Sequence, residues 1–136
     1  MPARSTNWAI VLGLFALGNL ANGAWMLVAP EHWYWNLPAR VPGTGPLNEH
    51  FVRDIGCTFL LLGALLALGA LRPKWRLASL VVAAAWSGMH ALVHVYDTAR
   101  GLLGPEYWTI DLPGDYGTAL LLIVVAGFAW RAQRNA

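Results

Sequence analysis

Apolar residues run along this chain in four long segments, separated by stretches rich in proline, glycine and charged residues. A helix needs about 20 residues to cross a hydrocarbon core of about 30 Å, and each segment is long enough to do so. The predicted spans cover approximately residues 8–29, 47–71, 74–98 and 115–131. The pattern therefore predicts an all-α fold, a bundle of four transmembrane helices that forms one domain over residues 1–136.

Proline, glycine and capping residues mark the predicted ends of these spans. Pro30 is expected to stop the first span, and the proline- and glycine-rich stretch after it is expected to be an irregular loop. Asn48 and Asp115 are expected to cap the second and fourth spans with their side chains. Pro73 is expected to end the second span, and Gly101 the third.

Composition supports a membrane location and excludes several classes of function. With 57% apolar and 12% charged residues, the chain has too little polar side chain to cover a water-facing surface. The single cysteine, Cys57, excludes an internal disulfide framework and a cysteine-rich zinc site. No basic run with interleaved aromatic residues favours a nucleic-acid partner, and no motif of nucleophile and base predicts an enzyme of the nucleophilic type.

Charge predicts the orientation of the spans. With a cytoplasmic N-terminus, the inner side carries six basic and no acidic residues, as the positive-inside bias requires. The outer side then carries three arginines, all seven acidic residues and all four histidines. We therefore expect a multi-pass protein of a bacterial-type inner membrane, with both termini in the cytoplasm and the lipid bilayer as its surroundings.

Polar side chains form one stripe on each of the second and third spans. The short turn at Pro73 predicts that these spans pack antiparallel, which brings the two stripes to similar depth in the outer half. Ionisable side chains that face lipid cost about 2.5–3.5 kcal/mol at the helix centre, so we expect the stripes to face each other. The stripes, at helical spacing, are His50, Arg53, Asp54 and Cys57 on the second span, and His90, His94 and Asp97 on the third.

One interpretation of this predicted cluster is a metal site. The i, i+4 spacing of His90 and His94 lets two imidazoles reach one ion. His50, Asp54 and Asp97 are the candidates that complete three or four ligands, and the ion is a transition metal such as zinc, copper or iron. The positive charge of Arg53 opposes a cation unless an aspartate neutralises it.

Two other interpretations stay open. In one, the cluster is an outward-facing pocket for a small polar or anionic ligand, with Arg53 as its anchor and Asn19 and Asn22 of the first span as hydrogen-bonding neighbours. In the other, the cluster is a polar network that fixes the helix register of an accessory or assembly subunit. Such a subunit acts within a homo-oligomer or a larger membrane complex, and a transporter also needs an oligomer, because four helices leave little room for a gated path.

The layout of the chain resembles the small DoxX-like four-helix inner-membrane proteins of bacteria. The resemblance covers most of the chain and rests on the four spans, the proline that ends the first span, and residues 48–56, which read Asn-Glu-His-Phe-Val-Arg-Asp-Ile-Gly. Residues 90–97 resemble a segment of similar hypothetical proteins. The resemblance implies a membrane location and a bundle fold, and it implies no particular activity.

Overall fold

The computed structural model describes residues 3–134, and nearly all of them are helical. Four helical segments are long and apolar enough to cross a membrane: Asn7–Val28, Glu49–Leu71, Pro73–Ala99 and Tyr107–Arg134. The prediction of an all-α bundle with four membrane-spanning helices is therefore confirmed. The α-helices are α1 (Ala3–Val28), α2 (Pro30–Asn36), α3 (Glu49–Leu71), α4 (Arg76–Ala99), α5 (Tyr107–Asp111) and α6 (Gly117–Arg134).

One leucine from each of the four long helices meets the others in the centre of the bundle. These residues are at most 1% exposed, and they belong to a single apolar cluster: Leu12, Leu66, Leu80 and Leu122. They come from α1, α3, α4 and α6 respectively, so each long helix contributes a side chain to a common core. The four long helices therefore share one apolar cluster in the described part of the chain.

Helices α1 and α3 form the most extensive interface of the bundle, and glycines let their backbones touch. A Cβ atom added to Gly23 would lie 2.7 Å from the carbonyl oxygen of Gly56 and 2.9 Å from the amide nitrogen of Leu60. Real Cβ atoms do not approach backbone this closely, so neither helix could keep its place with a larger residue at Gly23. The glycines at this interface therefore allow the backbones of α1 and α3 to approach closely.

The structure confirms the helix ends predicted at Asn48, at Pro73 and near Gly101. Asn48 caps α3, because its Oδ1 accepts a hydrogen bond of 3.1 Å from the backbone N–H of Phe51. Leu71 is the last residue of α3 before Pro73, which opens a 3₁₀ turn that leads into α4. After α4, Gly101 takes a φ of +76°, the left-handed conformation that favours glycine after a helix.

The loop expected after Pro30 contains a further helix, α2. Ala29 has a φ of −140°, which breaks α1, and Pro30 then occupies the first turn of α2, where its missing N–H costs nothing. The Nε1–H of Trp33 in α2 donates a hydrogen bond of 2.9 Å to Oδ1 of Asn22 in α1. Pro30 therefore ends one helix and starts another, and α2 folds back onto α1.

The fourth span begins earlier than the predicted start at Asp115. Residues Tyr107–Asp111 form α5, and a π-helical turn over Leu112–Tyr116 joins α5 directly to α6. The N–H of Gly117 bonds to the carbonyl of Leu112, five residues back, as in a π turn. This wider turn accommodates Pro113, which has no N–H to give to a regular α-helix. Asp115 is consequently not an N-cap but a side chain inside a continuous helical segment.

Candidate metal centre

Two histidines of α4 lie one helical turn apart near the end of that helix. His90 and His94 have the i, i+4 spacing of neighbours on one helix face, and their ring centroids are 4.7 Å apart. Both side chains are partly buried, at 36% and 19% exposed. The pairing of the two imidazoles predicted from their spacing is therefore present.

Each histidine pairs with an aspartate from the segment that joins α5 to α6. Nε2 of His90 lies 3.2 Å from Oδ1 of Asp115, and Nδ1 of His94 lies 2.8 Å from Oδ2 of Asp111. The carboxylate of Asp111 is 1% exposed, so its contact with His94 replaces solvent around one oxygen. Asp111 immediately precedes the π turn and Asp115 lies within it, and both side chains reach the histidines of α4.

Three of these side chains have the arrangement of metal ligands. His90, His94 and Asp115 each offer one donor atom, and these atoms lie within 4.8 Å of one another. Ligand atoms at about 2.0–2.2 Å from a tetrahedral ion are about 3.3–3.6 Å apart. Side-chain movements would therefore be needed to bring the three donor atoms to this spacing around one ion. With such movements, the group can hold a metal ion. Two histidines and one aspartate leave at least one coordination position for water or another ligand.

Aromatic rings form the wall of the site towards α3. The ring of Trp86 stacks on His90, with centroids 5.0 Å apart and planes at 13°. Phe59 of α3 meets the edge of Trp86, also at 5.0 Å. These rings fix the plane of the His90 imidazole and exclude water from one side of it.

The remaining predicted ligands lie apart from this centre and pair within their own helices. His50 lies 3.5 Å from Asp54, and the side chains are 89% and 62% exposed. Asp97 accepts a bond of 3.1 Å from Arg100, one turn further along the chain. The structure thus brings together only His90 and His94 of the five predicted metal ligands, and it adds Asp115.

The stripe on α3 points away from α4, which explains why the two predicted stripes do not meet. Phe59 is one of the α3 side chains that contact α4, and it does so through Trp86. At about 100° per residue, Cys57 lies about 200° around the helix from Phe59, and His50 lies about 180° from it. Cys57 is accordingly exposed. The stripe on α3 therefore does not face the histidines of α4.

The residues predicted to bind a small ligand are also engaged locally. Arg53 donates a hydrogen bond of 2.8 Å to Glu49 one turn earlier. Asn19 donates to the carbonyl of Phe15 at 2.8 Å. Asn22 accepts the hydrogen bond from Trp33 in α2. Among the described residues, none of the three forms a hydrogen bond with His90 or His94, so the ligand role stays a prediction without a shared pocket in its support.

Sequence reasoning missed Asp111 and misread Asp115. A signal for both was present, because two acidic residues at i, i+4 spacing lie on one face whenever the segment is helical. Pro113 and Gly114 between them predicted a loop instead, and a loop gives no common face. The π turn that keeps this segment helical has no such sequence pattern.

Comparisons with known proteins leave the site to be interpreted from its own chemistry. The chain matches no protein-family model, no curated protein and no solved structure. The resemblance to DoxX-like proteins therefore stays a prediction. A fold alone does not give a function, so the functional conclusion rests on the geometry of the histidines and aspartates.

Proposed function

We propose that this protein is an integral membrane protein that binds one divalent transition-metal ion through His90, His94 and Asp115. The observation that carries the proposal is the convergence of three donor atoms, from two separate helical segments, within 4.8 Å of one another. Neighbouring residues of one helix often share a face, but the approach of a third ligand from the α5–α6 segment needs the tertiary fold.

The donor set narrows the choice of ion. Zinc in catalytic sites uses three protein ligands of the imidazole and carboxylate types and keeps a fourth position for water. Two histidines and one carboxylate are also the ligands of non-haem iron(II) centres. The donor set therefore favours zinc or iron(II) over ions that need thiolate ligands, such as copper(I), or ligands that are all oxygen, such as calcium.

Asp111 supports the site from behind His94. Nδ1 of His94 lies 2.8 Å from the Asp111 carboxylate, and in the tautomer that donates Nδ1–H to it, Nε2 keeps the lone pair that binds a metal. Ligating histidines in metalloproteins commonly have such a carboxylate partner, which fixes the tautomer and the ring plane. Asp111 is thus a positioning residue, and its burial keeps the contact with His94 in place.

Charge balance also favours an ion at this place. Asp111 and Asp115 bring two negative charges into a partly buried site, and a divalent cation with neutral imidazoles cancels both. Arg53, which the sequence placed beside the site, is paired with Glu49 one turn earlier on α3. It therefore does not oppose the cation in the way that the sequence suggested.

The orientation of the site follows from the charges of the chain and belongs to the same proposal. The histidines lie towards the end of α4, whereas the basic turn between α3 and α4 lies at its start. The positive-inside bias puts that basic turn in the cytoplasm. The metal centre then lies in the outer half of a bacterial-type inner membrane.

The metal content of the purified protein tests the proposal. The protein is purified in detergent without a polyhistidine tag and analysed by inductively coupled plasma mass spectrometry, beside Asp115→Asn and Asp97→Asn. We expect about one metal ion per wild-type chain, its loss in Asp115→Asn, and its retention in Asp97→Asn. Asp97 is the matched control, because it was a predicted ligand but pairs with Arg100 in the structure.

The main competing function is that of an accessory subunit whose histidines and aspartates only hold the helices together. A specific observation favours it: the contacts of His90 with Asp115 and of His94 with Asp111 already join α4 to the fourth span. A wild-type protein that stays metal-free after incubation with zinc or iron(II), and whose Asp115→Asn variant only melts at a lower temperature, would establish this alternative.

A further inference from the structure

A cavity opens at the opposite end of the bundle from the histidines, here called the turn end because the α3–α4 turn lies there. Its volume is about 250 Å³. Residues from the start of α1, from the turn, from the first turn of α4 and from the last turns of α6 line it: Trp8, Pro73, Arg76, Leu77, Ala129, Ala132 and Gln133. Most of this lining is apolar, and Arg76 is its only charged member.

Arg76 is held over an aromatic ring and retains unused donor capacity. Its guanidinium carbon lies 5.5 Å from the centroid of the Trp8 ring, a distance typical of a cation–π contact. Its Nε is buried and has no hydrogen-bond partner among the described residues. A buried donor without a partner is costly, and a guanidinium stacked by one face still presents its N–H groups along its edge.

No carboxylate of this chain's side chains is available to Arg76. The turn end carries Arg72, Lys74, Arg131 and Arg134 in addition to Arg76. The seven acidic side chains all belong to the other end of the bundle and its loops: Glu31, Glu49, Asp54, Asp97, Glu106, Asp111 and Asp115. An anionic partner for Arg76 must therefore be a group other than these seven acidic side chains.

We propose that this cavity binds the phosphate group of an anionic phospholipid in the leaflet that surrounds the turn end. The guanidinium edge of Arg76 matches a phosphate, to which arginine forms paired charge-assisted hydrogen bonds. Gln133 supplies an amide for the glycerol or ester oxygens of the headgroup, and Leu77, Ala129 and Ala132 contact the first carbons of the acyl chains. Basic pockets between membrane helices on the cytoplasmic side are places where anionic headgroups bind.

The basic surroundings of the cavity make the site selective for net negative charge. A zwitterionic lipid offers the same phosphate, but its cationic headgroup meets the other basic residues of the turn end unfavourably. The phosphate of phosphatidylglycerol has no such opposing charge. The site is therefore expected to prefer phosphatidylglycerol to phosphatidylcholine of the same acyl chains, and the preference depends on Arg76.

Native mass spectrometry of the detergent-purified full chain tests this. Phosphatidylglycerol and phosphatidylcholine with identical acyl chains are titrated in parallel, and bound lipid is counted for the wild type, Arg76→Gln and Arg134→Gln. We expect one phosphatidylglycerol bound preferentially, with the apparent affinity about tenfold lower in Arg76→Gln. Arg134→Gln removes the same charge from another arginine stacked on a tryptophan at the same end, outside the cavity, and is expected to change affinity less than about twofold.

A second variant and a competition arm complete the test. Gln133→Leu changes an exposed residue without disturbing the core, and we expect about threefold weaker binding, which supports the site even if Arg76→Gln folds poorly. Equal affinity for both lipids, or equal losses in Arg76→Gln and Arg134→Gln, would overturn the proposal in favour of a diffuse surface charge effect. Displacement of the lipid by inorganic phosphate at the same concentration would overturn the assignment to a lipid.

Discussion

The Nδ1 atom of His94 lies 2.8 Å from Oδ2 of Asp111, and that carboxylate is 1% exposed. The contact joins the end of α4 to the last residue of α5 and sets which nitrogen of His94 faces the proposed ion. A buried carboxylate in this position stabilises the imidazole orientation and increases its basicity towards a metal.

From this contact we predict that Asp111→Asn weakens metal binding without abolishing it. The amide oxygen still accepts the hydrogen bond from Nδ1–H, but the negative charge is lost, so affinity should fall by about 10- to 100-fold. Competition between the protein and a chromogenic zinc chelator measures the change. Asp115→Asn should lose the ion completely under the same conditions.

This prediction separates a positioning residue from a ligand. Asp97→Asn serves as the control, and its affinity should match that of the wild type. An Asp111→Asn variant with unchanged affinity would remove Asp111 from the site, and one as defective as Asp115→Asn would make it a ligand.

The close contact of α1 with α3 predicts opposite effects for two glycines of the same helix. Gly23→Ala forces a methyl group against the backbone of α3 and should lower the stability by about 1–3 kcal/mol. Gly18→Ala adds a methyl group where nothing lies within 4 Å, and its better helix propensity should be neutral or stabilising by up to about 1 kcal/mol. Thermal unfolding in detergent, followed by circular dichroism, compares the two. Equal melting temperatures would mean that the two helices do not touch at Gly23.

The exposure of the stripe on α3 predicts that its histidine matters little for stability. His50→Ala removes one partner of an exposed pair, so the change should stay within about 0.5 kcal/mol. His94→Ala leaves the buried carboxylate of Asp111 without its partner, and in metal-free protein it should cost about 3–5 kcal/mol. Chemical unfolding of both metal-free variants gives the comparison. A large loss in His50→Ala would indicate that α3 presents its stripe to the rest of the bundle after all.

The proposed orientation predicts which exposed residues a membrane-impermeant maleimide reaches from outside. In a Cys57→Ser background, Thr44→Cys places a thiol in the loop before α3, and Lys74→Cys places one in the turn after it. Spheroplasts should label Thr44→Cys alone, and Lys74→Cys should react only after the membrane is permeabilised, because basic turns remain in the cytoplasm. The reverse pattern would place the metal centre on the cytoplasmic side.

The sequence predicts the spans well because their signals are local. Length and hydrophobicity identify each span, Asn48 caps α3 through a contact three residues away, and Pro73 ends it. The i, i+4 spacing of His90 and His94 likewise fixes their mutual proximity whatever the rest of the chain does.

The partners of those histidines are less predictable because they depend on how helices rotate about their axes. Hydrophobicity places His50 and Asp54 in the second span, but the close approach of Gly23 and Gly56 decides which side of α3 meets α1. That rotation turns Phe59, rather than the stripe, towards Trp86 of α4. The sequence pattern contains no comparable signal for the π turn, so Asp111 and Asp115 appear as loop residues.

Helix α5, the π turn and α6 form one continuous helical segment, here called the rod, whose length bears on how an ion would reach the proposed site. The rod spans 28 residues, about 42 Å at 1.5 Å each, whereas the hydrocarbon layer is about 30 Å thick. In the proposed orientation, with Arg131 at the inner boundary, Asp115 lies about 24 Å and Asp111 about 30 Å along the rod. Asp111 would then lie at the outer boundary of the hydrocarbon layer and Asp115 about one helical turn inside it, so a hydrated cation could reach the two carboxylates without crossing the membrane.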